Sequence, residues 1–466
     1  MTRYGLTVTY NGELWNADVQ RAFLRKKKNG GFQFKSTSDT EVLLAAWRHW
    51  GPPSAKNGGC LGELKGMFAF ALWDGRLLWL VTDRWGKCPL AYADSIDRPG
   101  QRTISETNET KAFAAASERR ALQFGMGAEP KTIRELGPAS FITHDPQMSR
   151  TIGPTTWWKG IEHRVPPLRG VTREVAAGKV GRLLRAAVKA RAVADVPVCT
   201  LLSGGVDSMA IAFLASRFMK SITAFTAVMD EKSPDVLKAR EGAKALGLKP
   251  VEVVLPNMTD QELQDLLVEV IWRTELRSKA QVEIAVACYF LAQRIRAEGF
   301  KVVYSGEGSD ELWGSYARVQ MLHRDREAWQ RARERLIVAQ HRRNFPRCNK
   351  IFLSESVEVR LPFLDPQLVE YGLTLPYSVV AQGGHSKGVL VRAMEMLGAP
   401  AHLFQRQRLA FQIGLGLRDR IARAVPNPRR WYGEKWRELF EDGDRKQLPT
   451  QLHRWRNDEW LMTPVR

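Results

Sequence analysis

Apolar and polar positions follow two different periods along this chain. In the first third, residues 4–10 alternate as a strand with one buried face, then run into Asn11-Gly12-Glu13, which reads as a turn with a polar cluster attached. Further strands are predicted over 67–72 and 77–82, joined as a hairpin by Trp73-Asp74-Gly75-Arg76. Residues 41–50, Glu-Val-Leu-Leu-Ala-Ala-Trp-Arg-His-Trp, carry helical spacing. This third reads as an α+β segment rich in antiparallel strands.

From residue 172 the period becomes helical, with Val175, Val180, Leu183, Leu184, Ala187 and Val188 on one face. Short apolar runs then follow at 196–202, 222–228, 251–255 and 301–304, separated by helical patterns near 235–246, 260–273 and 281–297. Such alternation predicts a doubly wound parallel sheet, whose ligands bind at the carboxyl ends of its strands. Residues 151–172, with Trp157-Trp158 and Pro166-Pro167, read as the junction, giving domains at 1–158 and 172–466. Residues 417–466, with Trp431, Trp436, Trp455 and Trp460, read as amphipathic terminal helices.

The run at 196–202 breaks into Ser203-Gly204-Gly205-Val206-Asp207-Ser208, and a helix is expected to open at Asp207 or Ser208. Adjacent glycines permit a sharp turn and leave amides open, while a new helix end offers unpaired N–H groups and a positive dipole. An anion belongs there. Ser203 and Ser208 add hydroxyls; a carboxylate from Asp207 beside phosphate calls for a hard cation between them. The implied ligand is magnesium pyrophosphate as part of ATP, although the Walker spacing Gly-x-x-x-x-Gly-Lys is absent from this loop. A second loop, Ser305-Gly306-Glu307-Gly308-Ser309-Asp310-Glu311, follows the strand predicted at 301–304 and brings three carboxylates to the same sheet edge.

Composition narrows the class. The 466 residues allow two or three domains, and 44% apolar with 26% charged residues describes an ordinary globular chain. Met1-Thr2-Arg3-Tyr4-Gly5-Leu6 has no apolar leader, and the most apolar window, 66–82, is interrupted by Asp74 and Arg76, so a cytoplasmic protein without a membrane span is expected. Five scattered cysteines read as reduced structural thiols. The net charge of +20, concentrated in Arg25-Lys26-Lys27-Lys28, in 323–350 and in 406–437, reads as a solvated basic face. Nucleic acid is the alternative partner, but no aromatic-interleaved binding motif supports it.

The Ser-Gly-Gly-Val-Asp-Ser loop resembles that of the ATP pyrophosphatases, which split ATP between its α and β phosphates. Asn11-Gly12-Glu13, Ser38-Asp39-Thr40-Glu41, Gly66-Met67-Phe68-Ala69-Phe70-Ala71, Asp83-Arg84-Trp85-Gly86-Lys87-Cys88-Pro89-Leu90 and Ala116-Ser117-Glu118 occur in the order of class II glutaminase domains. Together they make the chain similar to the B-type, glutamine-dependent asparagine synthetases over nearly its whole length. That resemblance implies an N-terminal nucleophile sandwich followed by an ATP-pyrophosphatase domain. It also implies that Asp207 and Asp310 hold Mg²⁺, and that Leu202, Val228, Ser305 and Gly306 contact the adenosine. Glu307 would accept a proton from the incoming amine, and Glu358 and Arg360 would bracket the site as an ion pair. In the glutaminase half, Asn11 and the Gly12 amide would form an oxyanion hole, with Glu13 and Asp39 gripping the glutamine amine.

The departures matter equally. Position 2 is Thr where the family exposes a cysteine nucleophile, and Asn11 comes so early that the first strands and the arginine for the glutamine carboxylate are missing. A sandwich without those strands is expected to show open sheet edges and an uncovered core. Nitrogen would then come from free ammonia, a separate glutaminase or a missing N-terminal piece, and the glutaminase half is read as a retained scaffold. Lys387 matches the lysine of the family's next helix, with Arg392 one place off the usual Leu-Arg. Arg408 stands where the family has a lysine on the pyrophosphate; a guanidinium grips phosphate but cannot lose a proton. The leading expectation is an ATP-dependent amide-forming synthetase, with aspartate the default acceptor. A β-lactam synthetase or lasso-cyclase type of ligase, a ligase modifying a macromolecule, and a non-catalytic ATP-binding subunit remain as alternatives. Oligomeric state is left open.

Overall fold

In the computed structural model, residues 1–26, 31–96, 112–158, 168–381, 386–404 and 417–442 are described. Lys27, Lys28, Pro166, Pro167, Arg408, Trp455 and Trp460 lie outside them. The chain divides into two units, Met1–Glu162 and His163–Arg466.

The first unit holds strands β1 (Thr2–Arg3), β2 (Leu6–Leu14), β3 (Gly66–Trp73), β4 (Leu78–Thr82), β5 (Ala91–Ile96), β6 (Ala112–Ala116), β7 (Arg134–Glu135), β8 (Ser140–Asp145) and β9 (Arg150–Thr156). Six form an antiparallel sheet in the order β1-β2-β3-β4-β8-β9, and three form a smaller one, β6-β5-β7. The turn expected at Asn11-Gly12-Glu13 is not one. Strand β2 runs straight through it, pairing Asn11 with Ala69, Gly12 with Phe68 and Glu13 with Met67. The nearly continuous apolar β3 supplies an uninterrupted ladder, and the glycine serves close approach instead: a Cβ at Gly12 would lie 2.1 Å from the Met67 carbonyl oxygen.

Leu6, Val8 and Leu14 point from β2 into a cluster with Val42, Leu43 and Trp47 of the helix Asp39–Trp50, whose N-terminus is capped by Ser38. The helix Ala17–Arg25 adds Leu24 to that layer. The uncovered core expected from the missing strands is therefore not found among the described residues: Leu6, Val8 and Leu72 are each at most 2% exposed. One outer strand of the sheet has two residues and the other contains Pro154, features that discourage strand addition. On the opposite face, Met67, Ala69, Leu80 and Ile142 pack against Cys88, Leu90 and Tyr92, joining the large sheet to the small one.

In the second unit the helix Arg173–Ala190, capped by Thr172, precedes β10 (Val198–Leu201). Strands β11 (Thr223–Val228), β12 (Lys249–Val254), β13 (Val302–Tyr304) and β14 (Glu358–Arg360) complete a parallel sheet in the order β12-β11-β10-β13-β14. Helices Val206–Ser216, Pro234–Ala245, Asp260–Thr274 and Lys279–Ala297 make the crossovers. Because β11 and β12 lie on one side of β10 and β13 and β14 on the other, the strand order reverses between β10 and β13. A crevice must open at their carboxyl ends. The strand Glu358–Arg360 was not anticipated, since three residues are too few to show a period.

Three basic residues of the run 323–350 are interior structure, while Arg324, Arg335, Arg342 and Arg343 are exposed as a solvated face requires. Arg333 is fully buried, donates to the carbonyls of Leu312, Gly372, Leu373 and Leu375, and stacks 3.6 Å from the Trp329 ring centroid. Burial lowers its pKa to about 9. Arg347 and Lys350 are also buried, each paired to a glutamate. All five cysteines are buried and unbridged. No described helix is long and apolar enough to cross a membrane.

Candidate active site

Two loops meet at the reversal point. The first leaves β10 through Leu202, whose N–H donates to Phe225 O and whose carbonyl accepts from Thr226 Oγ1, and enters the helix Val206–Ser216. Gly204 has φ +74°, and a Cβ there would lie 2.3 Å from Asp235 O, so the turn requires glycine. Ser208 Oγ stands 3.1 Å from both Ser203 N and Ser203 Oγ and donates to Gly205 O. Gly205, the residue before the helix, provides no side-chain cap, and the positive end of the helix dipole there favours an anion.

The second loop leaves β13 with Ser305 N donating to Arg360 O. A Cβ on Gly306 would come within 2.9 Å of Asp207 Cβ and 3.0 Å of Ser208 N, so the loops touch backbone to backbone. Ser309 Oγ donates to Asp207 Oδ1 at 2.6 Å. The decisive contact comes from a third segment. The Lys387 ammonium lies 2.7 Å from Asp310 Oδ1 and also ion-pairs with Asp207 Oδ2. Two carboxylates separated by 103 positions in sequence therefore converge on one buried cation.

Beside them is a cavity of about 310 Å³. One wall is apolar, with Leu202, Phe225, Ala227, Ile284 and Leu291, and suits a planar base. Ser203, Asp207, Ser208, Ser305, Gly306, Glu307 and Asp310 line it as anticipated. Val228 does not. Successive strand side chains face opposite ways, so with Phe225 and Ala227 turned to the cavity Val228 points elsewhere. Gly204 and Gly205 shape the turn from behind.

Glu307 differs from the free proton acceptor the sequence implied. Its carboxylate is ion-paired to Arg347 and accepts from Asn344 Nδ2 at 2.5 Å. Burial opposes the charge on Arg347, but Glu307 beside it holds that proton more firmly than usual. Asn344 also donates to Glu311 Oε1, at 3.2 Å, and the Tyr316 hydroxyl bonds the same oxygen. Burial and the neighbouring Glu307 raise the Glu311 pKa. Glu358 and Arg360 do pair, at 2.6 Å, but it is Val359 between them that reaches the cavity.

In the first unit, Asp39 Oδ2 accepts from Leu14 N at 3.0 Å and from the Tyr10 hydroxyl at 3.1 Å. Tyr10 and Leu14 flank Asn11, Gly12 and Glu13, so Asp39 is tied to the strand that carries the other three residues expected at a glutamine site. Burial raises the pKa of Asp39.

Family models match the chain on both sides of its division: asparagine synthase over residues 179–354 and 323–455, and a glutamine amidotransferase domain over 1–161. The chain belongs to the asparagine synthase family. The "Probable asparagine synthetase [glutamine-hydrolyzing]" of Schizosaccharomyces pombe is 27% identical over 97% of this chain and 83% of its own length. Asparagine synthetase B of Escherichia coli is 28% identical over 87% and 69% respectively. Asparagine synthetase 3 of Bacillus subtilis is 27% identical over 84% and 72%.

Sequence reasoning missed the far end of the cavity, where Tyr316, Arg343, Asn344, Arg347 and Cys348 sit. Asn344, Arg347 and Cys348 fall at i, i+3 and i+4 of the helix Asn344–Ser354, a spacing that marks one face. That signal was available but was absorbed into the reading of the segment as basic surface.

Proposed function

We propose that this chain is an ATP-dependent carbon–nitrogen ligase that makes asparagine through an acyl-adenylate. The observation that carries the reading is the meeting of Asp207 and Asp310 at one cation, at the reversal point of a parallel sheet. The cation now between them is an ammonium, and the donor set fits a divalent ion: two hard carboxylate oxygens, with phosphate oxygens to complete it. Mg²⁺ held there would neutralise charge on the departing pyrophosphate.

ATP would lie with its base against Leu202, Phe225 and Ala227 and its phosphates at the positive helix end after Gly205. A carboxylate oxygen of aspartate attacks the α-phosphorus, and the bond to the β-phosphate oxygen breaks, releasing pyrophosphate. Ammonia then attacks the acyl carbon, AMP leaves with the bonding pair, and the nitrogen loses a proton. Glu307, fixed by Arg347 and Asn344, supplies negative charge close to that developing ammonium. Arg408 lies outside the described residues; its assignment to the pyrophosphate rests on its place in the sequence.

The nitrogen source is free ammonia, a separate glutaminase or an N-terminal piece preceding this chain. Both cysteines of the first unit, Cys60 and Cys88, are at most 1% exposed, and burial pushes the Cys60 thiol far above its ordinary value. Glutamine hydrolysis needs an accessible thiolate or an equivalent nucleophile. The test is pyrophosphate and asparagine formation by the purified chain with aspartate, MgATP and either ammonium or glutamine. Equal amounts of pyrophosphate and asparagine are expected with ammonium, and none with glutamine. Silence with aspartate while other acids release pyrophosphate would overturn the aspartate assignment; turnover of glutamine would overturn the ammonia route.

A further inference from the structure

Four charged groups gather at the far end of the cavity, Glu307, Arg343 and Arg347 in its lining and Glu311 bonded behind them through Asn344. Glu307 is ion-paired with Arg347. Glu311 is buried and bonded by Tyr316 and Asn344. That leaves Arg343. It lines the cavity, its side chain is exposed, and no carboxylate among the described residues pairs with it. Its backbone, at φ −124° and ψ −81°, belongs neither to the short turn Ala339–Arg342 before it nor to the helix Asn344–Ser354 after it. The side chain is thus aimed by a break in the helical run, apart from the stack formed by Asn344 and Arg347. Arg347 Nε, buried in the same wall, also lacks a hydrogen-bond partner. Arg343 is therefore the cation of this wall that no described carboxylate neutralises.

We propose that Arg343 selects the acceptor, by pairing with an acidic group that is not the one adenylated. This rests on the synthetase reading above and names the residue that carries its substrate specificity. The reacting carboxylate must approach the α-phosphate and cannot also satisfy a guanidinium at the other end. A planar fork of donors matches a second carboxylate and gives nothing comparable to a neutral amide.

The test compares L-aspartate with L-isoasparagine, which keeps the reacting side-chain carboxylate and replaces the other with a neutral amide. Pyrophosphate release is measured for the full chain and for Arg343→Gln and Arg343→Lys. Wild type should favour aspartate in kcat/KM. Arg343→Gln should lower kcat/KM for aspartate about 10- to 100-fold, mainly through KM, and leave that for isoasparagine and the KM for ATP unchanged. Arg343→Lys should restore part of the preference. Calorimetry of L-aspartate binding with α,β-methylene-ATP present should show the same loss without turnover. Undiminished selectivity in Arg343→Gln, or an equal loss with both acids, overturns this assignment and leaves the synthetase reading standing. Wild-type silence with both acids overturns both.

Discussion

Replacing Lys387 by methionine tests the central geometry. The ammonium is 6% exposed and touches two carboxylates that are 17% and 16% exposed, so its removal strands negative charge in a poorly hydrated place. Removing one partner of a buried pair destabilises by about 3–5 kcal/mol. Ser309 continues to bond Asp207, which places the expected loss near the lower figure, about 3 kcal/mol. In a unit of this size that lowers Tm by roughly 6 °C. The same change frees the two carboxylates for a metal. Mg²⁺ alone at ten times its dissociation constant would then restore about 1.4 kcal/mol. Wild type, with Lys387 in place, should gain much less from Mg²⁺ until nucleotide gives the lysine another anion. Scanning calorimetry of both proteins with and without Mg²⁺ at about ten times its dissociation constant reads this directly. Equal melting of the two ligand-free proteins, or equal stabilisation of both by Mg²⁺ alone, would refute the convergence argument.

Gly306→Ala should raise the KM for ATP about tenfold or more while costing about 1–3 kcal/mol in stability, because its Cβ would press on the Asp207 backbone; steady-state kinetics and urea unfolding separate the two. Glu41 is 1% exposed, and although burial opposes its charge, the amides of Lys35 and Ser36, the Ser36 hydroxyl and Arg3 together lower its pKa to about 2. Its folded pKa lies below its unfolded one, so its contribution is present above about pH 4.5 and disappears as pH falls through 2. Glu41→Gln should therefore destabilise the first unit by about 3 kcal/mol at pH 7 and by progressively less on acidification, followed by denaturant titrations across that range.

The chain's local chemistry was legible in one dimension. Two glycine-bearing loops following short apolar runs, strand and helix alternation after residue 172, and the capping residues Ser38 and Thr172 all act within a few positions of themselves, so pattern alone reveals them. The Ser203–Ser208 loop and the acidic loop were found for this reason, as was the parallel sheet. Tertiary structure decided everything that depends on which distant groups share a space. Asn11-Gly12-Glu13 became strand because a neighbouring apolar strand outbid the local turn preference, and Val228 left the cavity because strand register turned Ala227 toward it. Glu307 lost its freedom to Arg347, and Lys387 became the link between Asp207 and Asp310, through contacts spanning 40 and 180 residues. Burial also changed the meaning of charge: Arg333, Arg347 and Lys350 count toward a basic composition yet contribute little to the surface. A sequence records which charges exist, whereas only the folded chain determines which of them are neutralised and which, like Arg343, still face an open cavity.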